Sequence, residues 1–252
     1  MQLLEQFMEE VEKMPKPEFL IEELLIPRRY LLLVGRTGIG KSLLATQLTF
    51  CFASGEPWVG FEVKPRQVTY INLELTDHQL WERLKVQAKD FKLVHEPAIE
   101  SRPFHSMEEA ELKAIMAASP KPEVVIIDSF RHVYRGKMND NDQQAKWVEK
   151  LQALEAELDL GIVLVQNTGK AKQFLEIGST DTSIGASELA NRAVSVMVAE
   201  AHQERTEHGH YGSKASDKVD LHIPKYGCAV KKPNTQQLKL NRDTLLFEVV
   251  KS

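Results

Sequence analysis

Four strand-like segments divide the first part of the chain, and three of them are runs of consecutive apolar residues. These three do not alternate between apolar and polar positions, which is typical of parallel strands that are buried on both faces. Segments with helical spacing separate them, so the pattern predicts an α/β fold in which helices cover both faces of a mostly parallel sheet. The strands are predicted at residues 30–34, 68–72, 124–127 and 162–165, and the helices at 41–54, 77–90, 107–118 and 142–158.

The pattern changes towards the C-terminus, where short apolar runs are joined by glycine and proline turns. These runs lie at residues 194–198, 219–223, 237–240 and 245–250. They predict antiparallel strands added at one edge of the sheet. Residues 202–217 are polar and predict a loop between two of these strands.

At the N-terminus, six apolar residues lie at helical spacing and predict an amphipathic helix that Pro15 and Pro17 terminate. We expect this helix to pack either on its own subunit or on a neighbouring one. The chain is therefore divided into an N-terminal helix, residues 1–16, and one core domain, residues 17–252. The six apolar residues are Leu3, Leu4, Phe7, Met8, Val11 and Met14.

The composition narrows the class of protein without identifying it. The 252 residues are 42% hydrophobic and 27% charged, which is typical of a soluble globular protein. No apolar run approaches the roughly 18 residues that cross a membrane, so we expect no membrane partner. The two cysteines lie far apart in sequence and do not indicate a disulfide framework, so we expect a reducing cytoplasm.

Charge is distributed unevenly along the chain. The net charge of −4 excludes a protein whose whole surface binds nucleic acid, but it allows a local basic strip. Residues 1–27 carry seven Glu against two Lys, a net of −5, whereas residues 201–252 carry nine Lys or Arg against six Asp or Glu, a net of +3. This polarity predicts head-to-tail contacts between subunits or steering of a polyanion, and it is equally typical of two solvated surfaces.

Residues 35–42, Gly-Arg-Thr-Gly-Ile-Gly-Lys-Ser, match the phosphate-binding pattern G-x-x-x-x-G-K-S/T between a predicted strand and a predicted helix. The glycines let backbone N–H groups turn towards phosphates, and the helix N-terminus adds a favourable dipole. We predict that Lys41 reaches the β- and γ-phosphates of ATP and that Ser42 binds Mg²⁺. A glycine-rich turn without a ligand is the alternative. The predicted nucleotide-binding residues of this loop are Gly35, Arg36, Thr37, Gly38, Ile39, Gly40, Lys41, Ser42 and Leu43.

Two carboxylates follow predicted strands and complete a hydrolytic site. Asp128 ends a strand of four β-branched residues, at the sheet edge where α/β proteins bind ligands, and is predicted to hold Mg²⁺ with Ser42. Glu74 follows the strand after the phosphate-loop helix and is predicted to orient and activate the attacking water. The alternatives are a helix N-cap for Asp128 and a surface acid at a helix start for Glu74.

Gln166 follows the strand at residues 162–165 and presents a neutral polar group at the same sheet edge. We predict that it senses the γ-phosphate and passes the presence of this group to the loop behind it. The alternative is an amide that caps the strand.

Several segments, taken together with the phosphate-binding loop, resemble one group of proteins. They are residues 17–27, 55–60, 63–74, 74–84, 128–132 with 139–142, and 185–190. Through them the chain resembles the hexameric helicases of the RepA type and their AAA-25 relatives, within the RecA/DnaB-type P-loop ATPases. The resemblance runs from about residue 17 to residue 227.

The resemblance implies a RecA-like three-layer core and a ring, usually of six subunits, with ATP and Mg²⁺ bound between neighbours. It implies a basic finger from the adjacent subunit, for which Lys225 occupies the matching position and Arg205 and Arg242 are weaker candidates. It also implies two pore-facing loops that contact nucleic acid, here residues 135–144 and 171–184. The basic residues in or beside these loops are Arg135, Lys137, Lys170 and Lys172.

One position departs from the pattern of the RepA relatives. They usually carry a pair of histidines where this chain has Gln166 and Asn167, and a glutamine at this position is closer to DnaB and RecA.

Two end uses remain open at this stage. The first is a ring helicase or translocase on single-stranded DNA, in the replication of a plasmid or mobile element. The second is a nucleotide-switched regulator of recombination, transposition or defence that assembles and recruits partners without unwinding. A metabolic P-loop kinase is a third class, disfavoured because no arginine-rich lid is evident.

Overall fold

The computed structural model describes residues 3–14, 18–137, 140–168, 188–202, 217–228, 231 and 233–250. Its helices are α1 (Leu4–Lys13), α2 (Lys41–Ser54), α3 (Asp77–Gln87), α4 (Glu109–Met116), α5 (Asn141–Leu158) and α6 (Glu188–Arg192). Its strands are β1 (Tyr30–Arg36), β2 (Val68–Asn72), β3 (Ala98–Ser101), β4 (Val124–Asp128), β5 (Gly161–Thr168), β6 (Ser195–Ala201), β7 (Lys218–Tyr226), β8 (Gln236–Leu240) and β9 (Phe247–Val249).

The described strands form one sheet in the order β3-β2-β4-β5-β1-β6-β7-β8-β9. From β3 to β6 in this order, each pair of adjacent strands is parallel. The pairs β6-β7, β7-β8 and β8-β9 are antiparallel. The carboxyl ends of β1, β2, β4 and β5 therefore meet at one edge of the sheet. Open α/β sheets bind their ligands at such an edge.

The inner strands are buried on both faces, as the apolar runs predict. In β1, Leu31 and Leu33 pack into a cluster with α2, while Leu32 and Val34 pack into a second cluster with α5. Burying both faces of a strand requires a helical layer on each side of the sheet. The prediction of an α/β fold with a three-layer, mostly parallel core is confirmed.

The structure differs from the sequence-based expectations at two strands. The strand predicted at 194–198 is not a purely antiparallel addition: β6 pairs parallel with β1 and antiparallel with β7, and its run of buried residues is typical of a strand beside the parallel core. Strand β3 was not expected, because its short Ala-Ile-Glu-Ser sequence is only partly buried at the edge of the sheet.

Helix α1 forms where the apolar spacing predicts it, yet none of its residues is buried. Its division from the core as a separate segment, residues 1–16 against 17–252, stays a prediction. Within the described residues, no helix combines the length and the apolarity needed to span a membrane. The apolar residues along one face of α1 that remain exposed are Leu3, Leu4, Phe7, Met8, Val11 and Met14.

Candidate functional site

The predicted phosphate-binding loop joins β1 to α2. Gly38 and Gly40 have φ angles of +84° and +99°, in the left-handed region that favours glycine. At Gly35 a Cβ would lie 2.7 Å from the carbonyl oxygen of Ala199, so the backbones approach too closely for a side chain. No side chain of the described residues caps α2 at Gly40, so the helix presents its N-terminal N–H groups to an anion.

Lys41, the first residue of α2, is only 5% exposed. Its Nζ donates a hydrogen bond of 2.8 Å to the carbonyl oxygen of Arg36, across the mouth of the loop. Burial lowers the pKa of Lys41, and the negative charges of Asp128 and Glu74 oppose this shift. The structure thus brings the predicted phosphate ligand and both predicted carboxylates within electrostatic reach of one another.

Asp128 ends β4 and is fully buried. Its Oδ2 accepts a hydrogen bond of 2.8 Å from the hydroxyl of Tyr70 on β2. Burial raises the pKa of Asp128, and the hydroxyls of Ser42 and Tyr70 act against that rise. The two predicted magnesium ligands, Ser42 and Asp128, are therefore neighbours, as coordination of one ion by both requires.

Glu74 lies in the turn that follows β2. Asn72 shapes this turn, because its Nδ2 donates to the Leu75 carbonyl oxygen at 2.7 Å and its Oδ1 accepts from the Leu75 N–H at 3.0 Å. Both carboxylate oxygens of Glu74 lie 3.2 Å from Nδ2 of Asn167 near the end of β5. Asn167 therefore contacts the predicted catalytic carboxylate, a contact that the sequence did not indicate.

Buried polar atoms without hydrogen-bond partners in the described residues gather where β4 and β5 end. Buried polar atoms in native proteins are nearly always paired, so a cluster of orphans indicates a site for water or a polar ligand. The sheet edge beside the phosphate-binding loop suits a magnesium nucleotide, because hydroxyl, amide and carboxylate oxygens can bind the ion and its waters. The orphaned atoms are Oδ1 of Asp128, Oγ of Ser129, Oε1 of Gln166 and Oγ1 of Thr168.

Strand β9, near the C-terminal end of the chain, packs against the same loop. A Cβ at Gly40 would lie 2.7 Å from Cζ of Phe247, so the aromatic ring packs directly on this glycine. Gln47 of α2 bonds the backbone of Phe247 twice, donating to its carbonyl oxygen at 3.0 Å and accepting from its N–H at 2.9 Å. No sequence pattern indicates this contact, which joins residues 200 positions apart.

Lys225, the predicted finger, lies away from the phosphate-binding loop of its own chain. It pairs with Val196 of β6, which in turn pairs with Leu32 of β1, three residues before Gly35. Its Nζ donates to the carbonyl oxygen of Ala190 at 3.2 Å, and burial lowers the pKa of this amine. Lys225 therefore does not join Lys41 and Glu74 within one subunit.

Two of the four predicted nucleic-acid contacts fall within the described residues. Arg135 forms an ion pair with Glu108, and its Nη2 donates to the carbonyl oxygen of Ser106 at 2.8 Å. Lys137 is exposed. Lys170 and Lys172 lie outside the described residues, as does the weaker finger candidate Arg205, whereas Arg242 forms an exposed ion pair with Asp217.

The family model AAA_25, described as an AAA domain, matches residues 2–173. No curated protein sequence matches the chain.

Three solved structures show the same fold. One is the ATPase domain of the protein G40P, with 15% identity, a TM-score of 0.64 and coverage of 98% of this chain and 97% of that one. A second is a DnaB-like replicative helicase, with 15% identity, a TM-score of 0.65 and coverage of 98% and 67%. A third is a KaiC-like protein from Pyrococcus horikoshii, with 16% identity, a TM-score of 0.59 and coverage of 92% and 94%.

Proposed function

The chain belongs to the AAA_25 family, among the P-loop ATPases of the RecA/DnaB type, and from this premise we propose that it is an oligomeric, Mg²⁺-dependent ATPase acting on single-stranded nucleic acid. Its end use is that of a ring helicase or translocase in the replication of a plasmid or mobile element. The observation that carries the proposal is the convergence of Lys41, Asp128 and Glu74 beside the glycine loop.

Each residue of the site has a role that its geometry supports. The loop N–H groups and Lys41 would bind the phosphates of ATP, so that Lys41 exchanges its bond to the Arg36 carbonyl oxygen for bonds to phosphate oxygens. Gln166, whose Oε1 has no hydrogen-bond partner in the described residues, stays the predicted sensor of the γ-phosphate, although it extends from the face of β5 opposite Asn167. Ser42 and Asp128 would hold Mg²⁺, which neutralises charge on the phosphate oxygens when it is bound.

Hydrolysis then depends on where Glu74 holds a water molecule. The water oxygen attacks the γ-phosphorus, the bond from phosphorus to the bridging oxygen breaks, and ADP and phosphate leave. Glu74 orients this water and accepts its proton. Charge neutralisation by Lys41 and the loop amides, which are already aimed at the phosphates, supplies the electrostatic stabilisation.

We further propose that the complete site lies between two subunits. Lys225 is remote from its own loop, which suits a residue that reaches the triphosphate of a neighbour. The apolar face of α1 is exposed over its whole length, and its partner is then a second copy of this chain. Charge supports this partner, because residues 1–27 carry a net −5 and residues 201–252 a net +3. A hexamer is the ring size that the resemblance favours.

The nucleic-acid ligand would contact Arg135, Lys137, Lys170 and Lys172. These four basic residues form a small set of phosphate contacts, and their binding would weaken steeply with salt. The two cysteines are unpaired, and Cys51 is buried, which is compatible with a reducing cytoplasm.

One observation favours a second candidate function. Arg135 is already engaged by Glu108 and by the Ser106 carbonyl oxygen, so a phosphate would have to displace both partners. A nucleotide-switched regulator of recombination, transposition or defence would use the same ATPase site to assemble and recruit partners without unwinding.

The rate of ATP hydrolysis separates these candidates. It is measured over a range of protein concentrations, with and without single-stranded DNA, and with Lys41→Ala as the inactive control. A translocase predicts turnover that rises with assembly and is stimulated by the single strand. Assembly driven by ATP without this stimulation favours the regulator. Wild-type turnover no greater than that of Lys41→Ala under every condition would contradict both.

A further inference from the structure

The carboxylate of Glu74 is held by a neutral donor from a neighbouring part of the sheet. Nδ2 of Asn167 lies 3.2 Å from Oε1 and 3.2 Å from Oε2 of Glu74. The two residues are 93 positions apart in the chain, so the contact is made by the fold rather than by a local turn. An amide nitrogen shared equally by both oxygens fixes the plane of the carboxylate and the direction in which it points.

The neighbouring donors Lys41 and Asn72 form hydrogen bonds with residues other than Glu74. Nζ of Lys41 donates to the Arg36 carbonyl oxygen, and Nδ2 of Asn72 donates to Leu75 and Ser101. Among the hydrogen bonds of the described residues, those from Asn167 are the ones made to the Glu74 carboxylate. Removing this amide would leave the carboxylate free to rotate about its side-chain bonds.

The position of Asn167 in the sheet connects this contact to the phosphate-binding loop. Asn167 pairs in register with Gly35, the first glycine of the loop, across the ladder between β5 and β1. Its neighbour Gln166 points to the opposite face, because successive side chains of a strand alternate. One rigid strand end therefore sets both the loop and the direction of Glu74.

We infer that Asn167 is a positioning residue that acts through Glu74, an inference that rests on the proposed ATPase function. A neutral donor suits this task, because it orients the carboxylate without cancelling the charge that accepts a proton from water. A lysine or arginine at the same place would form an ion pair and compete with that proton. Misplacement of a reacting group by about 1 Å costs about 10²-fold in rate, so loss of this contact should be visible in turnover.

The test uses three variants of the full chain. Asn167→Ala removes the donor, Asn167→Asp replaces it with an isosteric like charge, and Asn167→Gln keeps an amide on a longer side chain. We expect kcat to fall about 10²-fold for Ala and further for Asp, with more activity retained by Gln. The KM for ATP, the Kd for a non-hydrolysable analogue and the Tm should stay close to wild type, because Asn167 would touch neither phosphate nor core.

A double-mutant cycle that combines Asn167→Ala with Glu74→Gln tests this inference separately from the proposed ATPase function. If Asn167 acts through Glu74, Asn167→Ala should lower the single-turnover rate in the wild-type background and not in the Glu74→Gln background. Equal losses in both backgrounds, or an unchanged kcat in Asn167→Ala, would overturn the inference and leave the proposed function standing. If Asn167→Ala weakened analogue binding or lowered the Tm together with kcat, the role of Asn167 would be structural, and the inference would be overturned as well. Full activity of Glu74→Gln would instead overturn the catalytic role of Glu74, and the inference with it.

Discussion

The hydroxyl of Tyr70 donates a hydrogen bond of 2.8 Å to Oδ2 of Asp128, and both side chains are fully buried. Oδ1 of the same carboxylate accepts no hydrogen bond of ordinary length from the described residues. One oxygen is thus fixed by the fold while the other remains available to a ligand. This is the arrangement expected of a metal-binding carboxylate whose orientation is set by a second residue.

Tyr70→Phe removes this hydroxyl without changing the shape of the buried ring. The hydrogen bond of Tyr70 opposes the effect of burial on the pKa of Asp128, so its loss should raise that pKa and disfavour the ionised form that binds Mg²⁺. We expect the Mg²⁺ concentration for half-maximal ATPase activity to rise about tenfold, since hydrogen bonds to charged groups contribute about 1.5–3 kcal/mol. Titration of Mg²⁺ in the ATPase assay measures this.

Tyr30→Phe is the matched control. Tyr30 is equally buried and donates to the Leu189 carbonyl oxygen, but it lies at the opposite end of β1 from the phosphate-binding loop. It should lower the Tm without changing the Mg²⁺ dependence. An equal Mg²⁺ requirement for Tyr70→Phe and wild type would count against the role of Asp128 as a metal ligand.

The burial of Glu155 leads us to expect that the stability of the protein depends on pH, separately from catalysis. This residue of α5 is fully buried, and neither carboxyl oxygen has a hydrogen-bond partner in the described residues. Burial raises the pKa of Glu155 from 4.5 to about 8, with the charge of Arg29 acting in the opposite direction. Because the folded state binds the proton more tightly, the contribution of Glu155 is complete below pH 4.5 and is lost as the pH rises towards 8.

Glu155→Gln should therefore be more stable than wild type by an amount that grows with pH. We expect the two proteins to have similar Tm at pH 5 and the variant to gain a few kcal/mol relative to wild type by pH 8. Other buried acids titrate in both proteins and cancel in the difference. Glu157→Gln, which alters an exposed acid of the same helix, is the control for the effect of the substitution itself. A difference for Glu155→Gln that stays flat with pH would show that this carboxyl titrates normally.

Sharing of the site between subunits predicts complementation by two inactive variants. Glu74→Gln keeps the finger and Lys225→Ala keeps the catalytic carboxylate, so in a mixed ring some sites combine both intact parts. After random mixing in equal amounts, about a quarter of the interfaces should be active. The ATPase rate of the mixture is compared with that of each variant alone, and a mixture no more active than its components would argue for a site confined to one subunit.

The exposed apolar face of α1 leads to a prediction about the oligomeric state of the protein. Replacing Phe7 and Val11 together by serine should lower the oligomer mass measured by light scattering and slow ATP turnover in parallel, because the two side chains would lose their burial against a second copy. Glu9→Asp with Glu12→Asp, which keeps the charge of the polar face, is the control and should keep the wild-type mass. If the serine variant assembles as wild type does, α1 is not the interface.

The sequence predicts the core and the loop well because both depend on local patterns. The continuous apolar run of β1 and the glycines before Lys41 identify a buried strand and a phosphate-binding turn without knowledge of the fold. The parallel pairing of β6 was missed, because short runs bounded by turns look alike whether their partners run parallel or antiparallel.

The side chains that support the site were not predictable in the same way. Asn167, Tyr70 and Phe247 reach it only because β5, β2 and β9 are placed around the loop by tertiary pairing. Nothing in the residues adjacent to Asn167 indicates that Glu74, 93 positions away, is its partner. Lys225 is a further case, because its contacts with the carbonyl oxygens of Ala190 and Asn191 do not bear on the role proposed for it at a neighbouring subunit.

The central claim is that a triphosphate binds between β1 and α2, and a crystal structure of the protein with Mg²⁺ and a non-hydrolysable ATP analogue tests it most directly. We expect the β- and γ-phosphates inside the loop of residues 35–43, with Nζ of Lys41 moved from the Arg36 carbonyl oxygen to phosphate oxygens and the ion beside Ser42 and Asp128. A nucleotide bound elsewhere, or Lys41 still bonded to Arg36 with the analogue present at saturation, would contradict it.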